Sequence, residues 1–155
     1  MIERDGKRFN CCESTIMKVN EKIPLDGFGR GVMRAISNMG GGVAGWGNVC
    51  GAVSGGAMVY GLLIGTEGDE SPEDFVKTRE KMRARAQVFI DAFKREWGHV
   101  NCFDLIGVDT RTDEGRRKYE ENKVKGLCLC DDFVNWSANK LIELITSGAN
   151  YSRHL

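Results

Sequence analysis

The sequence predicts an all-α fold: one domain spanning residues 1–155, a bundle of five to six helices around a central glycine-rich helix. Three observations carry this expectation. The 155-residue chain has only two prolines and no segment of clear strand period. Apolar residues recur three and four apart in several segments. The stretch Ala35–Thr66 holds no Asp, Glu, Lys or Arg, although 28% of the chain is charged, and it contains ten of the twenty glycines. A stretch so apolar and so short of bulk belongs at the centre of a fold or in a membrane. Val49–Gly65 is shorter than the roughly 20 apolar residues of a membrane span, and glycines interrupt it. A central element is therefore expected, and no membrane span.

The elements follow in order. Phe9–Ile23 is expected as the first helix, with Ile16, Val19 and Ile23 on one face and Pro24 ending it. Phe28–Met39 is the second, with Val32, Ala35, Ile36 and Met39 in register, stopped by Gly40-Gly41-Gly42. Trp46-Gly47-Asn48 reads as a loop with Asn48 as N-cap, and Cys50–Ile64 as the third helix. Gly51 and Gly55, and again Gly61 and Gly65, lie four apart and share faces. Each interior glycine costs a helix about 1 kcal/mol relative to alanine. Close approach of another backbone or of a cofactor is the expected reason for them. Ser71-Pro72-Glu73-Asp74 combines a cap, a first-turn proline and first-turn acids. The helix it opens should run to Trp97, with Phe75, Met82, Ala86, Phe89 and Phe93 inward, Arg79, Lys81, Arg83 and Arg85 solvated, and Gly98 and His99 closing it. Asn101 opens a short helical turn through Ile106, Asp113–Lys123 reads as a polar surface helix, and Asp131–Thr146 is the last helix. There Val134, Ala138, Leu141 and Ile145 share a face, and Gly148 and a tail with His154 follow. Trp46, Trp97 and Trp136 are expected in the core, and Asp104 and Asp109 in turns.

Charge narrows the function. The 22 Lys and Arg balance the 22 Asp and Glu, so the electrostatic footprint of a nucleic-acid binder is missing. The first residues are charged and lack an apolar signal region, and Arg116-Arg117 is internal. A cytoplasmic, reducing setting is expected. There, six cysteines point to metal binding or thiol chemistry rather than to structural disulfides. No Ser/His/Asp arrangement, phosphate loop or paired-carboxylate motif stands out. The glycines from Gly40 to Gly45 follow no strand, which argues against a dinucleotide site.

Cys11, Cys50, Cys102 and Cys130 each stand at or just before an expected helix start. Unpaired N–H groups and a partial positive charge there favour a thiolate over a thiol. The same N–H groups can donate to the sulfurs of an iron–sulfur cluster. Four helix starts can converge at one point of a bundle. Spacing alone leaves this open, because there is no CxxC pair and no zinc-finger spacing. Cys12 and Cys128, beside Cys11 and Cys130, read as spare thiols packing as small hydrophobes.

Four blocks carry a resemblance: FNCCEST, NVCGAVSGGAMVYGLLIG, WGHVNCFDLIGVD and CLCDDFV. In this order, from Phe9 to Leu144, they resemble the redox-active proteins named for the pattern C_GCAxxG_C_C. Cys50-Gly51-Ala52-Val53-Ser54-Gly55 fits the glycine-rich hallmark in full. Cys11 after Asn10, Cys102 after the glycine-ended aromatic helix, and Cys130 four residues before Val134 fit the other sites. The family is similar to part of the split-Soret cytochromes, helical proteins that pair as dimers and carry a non-haem iron–sulfur centre. The resemblance implies an all-α homodimer and a [2Fe–2S] cluster held by Cys11, Cys50, Cys102 and Cys130. Gly51, Ala52 and Gly55 would bind beside it. No haem is implied, since a c-type haem needs CxxCH and neither His99 nor His154 follows such a pair. Cys12 and Cys128 leave the first and fourth ligands open by one or two residues. The expected function is single-electron transfer to or from a separate oxidoreductase, as a carrier rather than a stand-alone enzyme. Two alternatives stand beside it: metal-free thiol–disulfide exchange with Cys50 as a low-pKa attacking thiol, and a structural zinc site in an interaction module. On the cluster reading, Gly51→Val or Gly55→Val should abolish cluster incorporation before it unfolds the chain.

Overall fold

The computed structural model describes residues 1–148. Helices span Cys11–Asn20 (α1), Arg30–Ile36 (α2), Gly51–Ile64 (α3), Pro72–Trp97 (α4), Cys102–Ile106 (α5), Asp113–Val124 (α6) and Cys130–Gly148 (α7). The all-α expectation holds. The described residues form seven helices rather than five to six, because the short α5 and the polar α6 both close as helices. One feature was not expected: Glu3–Arg4 (β1) pairs antiparallel with Lys7–Arg8 (β2). Asp5 and Gly6 turn between them at φ 52 and 71, the geometry of a two-residue hairpin loop. Strands of two residues are too short to show a period, so only the Asp-Gly pair could have announced them. The Ile2 N–H donates to the Ser14 hydroxyl at 2.9 Å and ties the hairpin to α1.

Caps explain several boundaries. Asn10 accepts from the Cys12 and Glu13 N–H groups, while the Glu13 carboxylate accepts from the Asn10 N–H at 2.7 Å. This capping box starts α1 at Cys11 rather than at Phe9. Cys50, not Asn48, is the N-cap of α3. Val49 bridges to Asn101 and the Cys50 N–H donates to the Val100 carbonyl at 2.8 Å, so the chain stays extended up to Cys50. Ser71 caps α4 as expected, accepting from the Asp74 N–H. Gly98, rather than His99, closes it through an N–H bond to the Lys94 carbonyl. His154 lies outside the described residues.

The glycine-rich α3 is central and packs on α1, α4 and α7. Its glycines serve that packing. A Cβ on Gly51 would lie 2.9 Å from the Cys12 nitrogen, and one on Gly55 would lie 2.9 Å from the Cys12 carbonyl oxygen. These two admit the backbone of α1. Gly56 faces the other way, and a Cβ there would overlap the Phe89 ring of α4. Around α3, one core cluster joins Cys12, Ile16 and Val19 to Val59, Tyr60, Phe89 and Leu141. A second joins Cys50, Ala52 and Val53 to Phe93, Phe133 and Val134. Trp97 and Trp136 join these aromatics edge to face, with Trp97–Phe133 centroids 4.9 Å apart, a favourable quadrupole arrangement. Two expectations fail. Trp46 is 62% exposed, and Phe75 lies outside both clusters beneath the Arg79 guanidinium. No described helix is long and apolar enough to cross a membrane.

Candidate functional site

Four chain segments bring cysteines to one end of the bundle. α1 begins with Cys11, held by the Asn10 box. The Val49–Asn101 bridge sets the Cys50 and Cys102 segments side by side, and the Cys102 N–H donates to the Asn48 carbonyl at 2.7 Å. α7 begins with Cys130. Cys11, Cys102 and Cys130 line a single cavity of about 370 Å³. Cys50, only 4% exposed, lies behind it, near enough for charge on Cys102 or Cys130 to act on its thiol. Three of the matched cysteines thus share one cavity and the fourth lies behind it, each at or next to a helix start.

The two spare cysteines part ways. Cys12 is fully buried in the core, with its sulfur 3.7 Å from the Met58 sulfur, and faces away from the cavity. Cys128 is half-buried and, like Cys130, lies close enough to Cys102 for its charge to act on that thiol. Gly51, Ala52 and Gly55 do not line the cavity. The glycines lie against α1, and Ala52 is buried in the aromatic cluster. Their contribution to the site is to let Cys11 and Cys50 approach one another.

Other walls were not legible in the sequence. Gly41 and Gly45 belong to a loop in which five successive residues, Gly41 to Gly45, have φ between 54 and 73. Val43 and Ala44 share this left-handed conformation, which costs non-glycine residues about 1–2 kcal/mol each. Such strain persists where surrounding bonds over-determine it. Here the Asn48 N–H donates to the Gly42 carbonyl, the Gly47 N–H to Gly41, and the Thr110 hydroxyl to Gly45. Trp46 projects from this loop with the Arg111 guanidinium 5.3 Å from its ring centroid. The remaining wall comes from α6, whose Tyr119 turns inward to place its hydroxyl 3.6 Å from Cys130 Sγ. A lone aromatic in a polar helix was the only sequence signal for it.

Burial governs the thiols. It pushes Cys50 up to about 12, although the Ala52 and Val53 N–H groups favour its thiolate without a full hydrogen bond. Burial and the neighbouring sulfurs push Cys102 up to about 11. Cys130 rises to about 11, first through the nearby Cys11 thiol and then through burial. The sequence reading expected helix starts to lower these values. Desolvation outweighs the helix dipole here, because a thiolate loses more on leaving water than partial charges return.

The family described as "Putative redox-active protein (C_GCAxxG_C_C)" matches residues 9–144. The chain belongs to this family. No curated protein and no solved structure matches it. The match takes in all six cysteines, and it makes the chain a member of a redox-active family.

The donor set fits an iron–sulfur cluster in kind: four gathered sulfurs, largely desolvated, with backbone N–H groups beside Cys50. Among the described residues, no three of His, Cys, Asp or Glu stand in a geometry that holds one metal ion. Structural zinc needs four ligands converging tetrahedrally on a single ion. A binuclear cluster would divide its four thiolates between two irons, so that no one ion would need more than two of them.

Proposed function

We propose that this chain is an electron carrier in which Cys11, Cys50, Cys102 and Cys130 hold an iron–sulfur cluster of the [2Fe–2S] kind. The observation that carries the reading is that Cys11, Cys102 and Cys130, from separate segments, line one cavity, with Cys50 buried behind it. Bound there, the cluster would supply one-electron chemistry. The protein's own residues would do the rest. The four thiolates hold the metal, the Ala52 and Val53 N–H groups oppose charge at Cys50, and the aromatic cluster behind Cys50 keeps water out. A thiol bound to a metal is deprotonated outright, so raised values in the metal-free chain are compatible with ligation. Electrons pass to or from a separate oxidoreductase, for which Trp46 and Phe103, exposed next in the chain to the cavity residues Gly45 and Cys102, offer an apolar surface. The chain would work in the cytoplasm and pair as a homodimer, and sedimentation of the anaerobic protein tests the pairing.

Metal-free thiol–disulfide exchange is the weaker reading. An attacking thiol needs a thiolate near neutral pH and access, whereas Cys50 is buried and pushed up to about 12. Anaerobic purification with iron and acid-labile sulfide analysis tests the proposal. A brown protein bleached by dithionite supports it, and a colourless protein that takes up neither iron nor sulfide on reconstitution overturns it.

A further inference from the structure

We propose that the Tyr119 hydroxyl is a positioning and tuning group for the metal centre, donating a hydrogen bond to Cys130 Sγ and raising the centre's reduction potential. This rests on the cluster reading above. The geometry that carries it is specific to α6. From Arg116 to Glu121 every residue of that helix except Tyr119 is exposed. Arg116 and Glu120 also reach the cavity, but Tyr119 is the half-buried one and sets its oxygen 3.6 Å from the Cys130 sulfur. Phenol oxygen can donate to this sulfur, and a thiolate there can only accept.

The donor is held before any ligand arrives. Thr112 caps α6 by accepting from the Gly115 N–H. Gly115 lies against the Asp109 carbonyl with no room for a Cβ. The Arg116 guanidinium donates to the Thr110 carbonyl at 3.1 Å and to the Arg111 carbonyl at 2.9 Å. One turn before Tyr119, therefore, α6 is pinned to the loop that follows α5. A fixed donor facing a ligand sulfur is the outer-shell arrangement that tunes a metal site. Reduction adds one electron and one negative charge while no bond forms or breaks, and the phenol keeps its proton. The added charge resides partly on the sulfurs, so the hydrogen bond strengthens on reduction and favours the reduced form.

The test is a redox titration of the anaerobic, iron-loaded full chain, as wild type, Tyr119→Phe and Tyr60→Phe. Phenylalanine keeps the ring and removes only the hydroxyl. Tyr60→Phe removes the hydroxyl of a buried tyrosine about 15 Å farther along the axis of α3 from Cys50 and controls for a general packing effect. Tyr119→Phe should keep its iron and its melting temperature and shift the potential negative. The expected change in the reduction equilibrium is on the order of tenfold, about 59 mV for one electron. Tyr60→Phe should not move it. An unchanged potential in Tyr119→Phe overturns the inference alone. So does loss of iron from Tyr119→Phe with its helix content kept, because a tuning hydroxyl is not needed to hold the metal. A wild-type chain that takes up no iron overturns the cluster reading and this inference with it.

Discussion

Cys11 and Cys12 are neighbours in the chain and serve different environments. Cys11 lines the cavity, whereas Cys12 is fully buried against Met58 and the core of α1 and α3. Cys12→Ala should therefore keep its iron and lose about 1 kcal/mol of stability, the scale of a small buried deletion. Iron analysis beside urea unfolding checks this, and loss of iron would move the first ligand from Cys11 to Cys12. Cys50 gives a second test at this scale. In the native metal-free chain, iodoacetamide at neutral pH should leave Cys50 unmodified until the protein is unfolded, because the thiol is buried and pushed up to about 12. Rapid native alkylation mapped to Cys50 would favour thiol–disulfide chemistry instead. Which of two adjacent cysteines faces the cavity was not legible from the sequence. It depends on the rotation of α1 about its axis, and that is set by the contacts of Gly51 and Gly55 with α1.

Helix α3 was legible as the central element because its lack of charge and bulk is written in the residues themselves. The reason for its glycines was legible in part. Close approach of another backbone was one expectation, and Gly51 and Gly55 do admit α1, whereas clearance at the sulfurs was the other, and Gly56 instead admits Phe89. Gly56→Ala should cost about 1–3 kcal/mol by overpacking while iron per folded chain stays constant, measured by thermal unfolding with metal analysis. Gly51→Val acts on the helix that carries Cys11, so stability and iron content should fall together rather than iron first. Helix α4 was the most legible element, since Ser71-Pro72 and Gly98 mark both ends chemically. The loop at Gly41–Gly45 was the least legible, because its left-handed turn depends on bonds to Asn38, Asn48 and Thr110, from other parts of the chain. In Gly42→Ala the Cβ would collide with the Asn48 backbone. The resulting strain, about 1–3 kcal/mol at such a position, should appear as faster amide exchange across residues 40–48.

At the scale of the molecule, the fold brings distant sequence to one end. Cys11 and Cys130 are separated by most of the chain, and the packing of α1 on α7 brings them together. Cys50 and Cys102 meet through the short Val49–Asn101 bridge. Convergence was foreseeable only from the ordered family pattern, because helix starts give no distances. Tyr119 was invisible for a related reason: a polar helix reads as surface until the position of α7 reveals which side faces the sulfurs. The most direct measurement is iron and acid-labile sulfide per chain in anaerobically prepared wild type and in Cys11→Ser, Cys50→Ser, Cys102→Ser, Cys130→Ser and Cys12→Ala. The account predicts equal iron and sulfide in the wild type and in Cys12→Ala, with strong loss in the other four. Wild-type protein without iron and sulfide, or undiminished loading in those four variants, would contradict it.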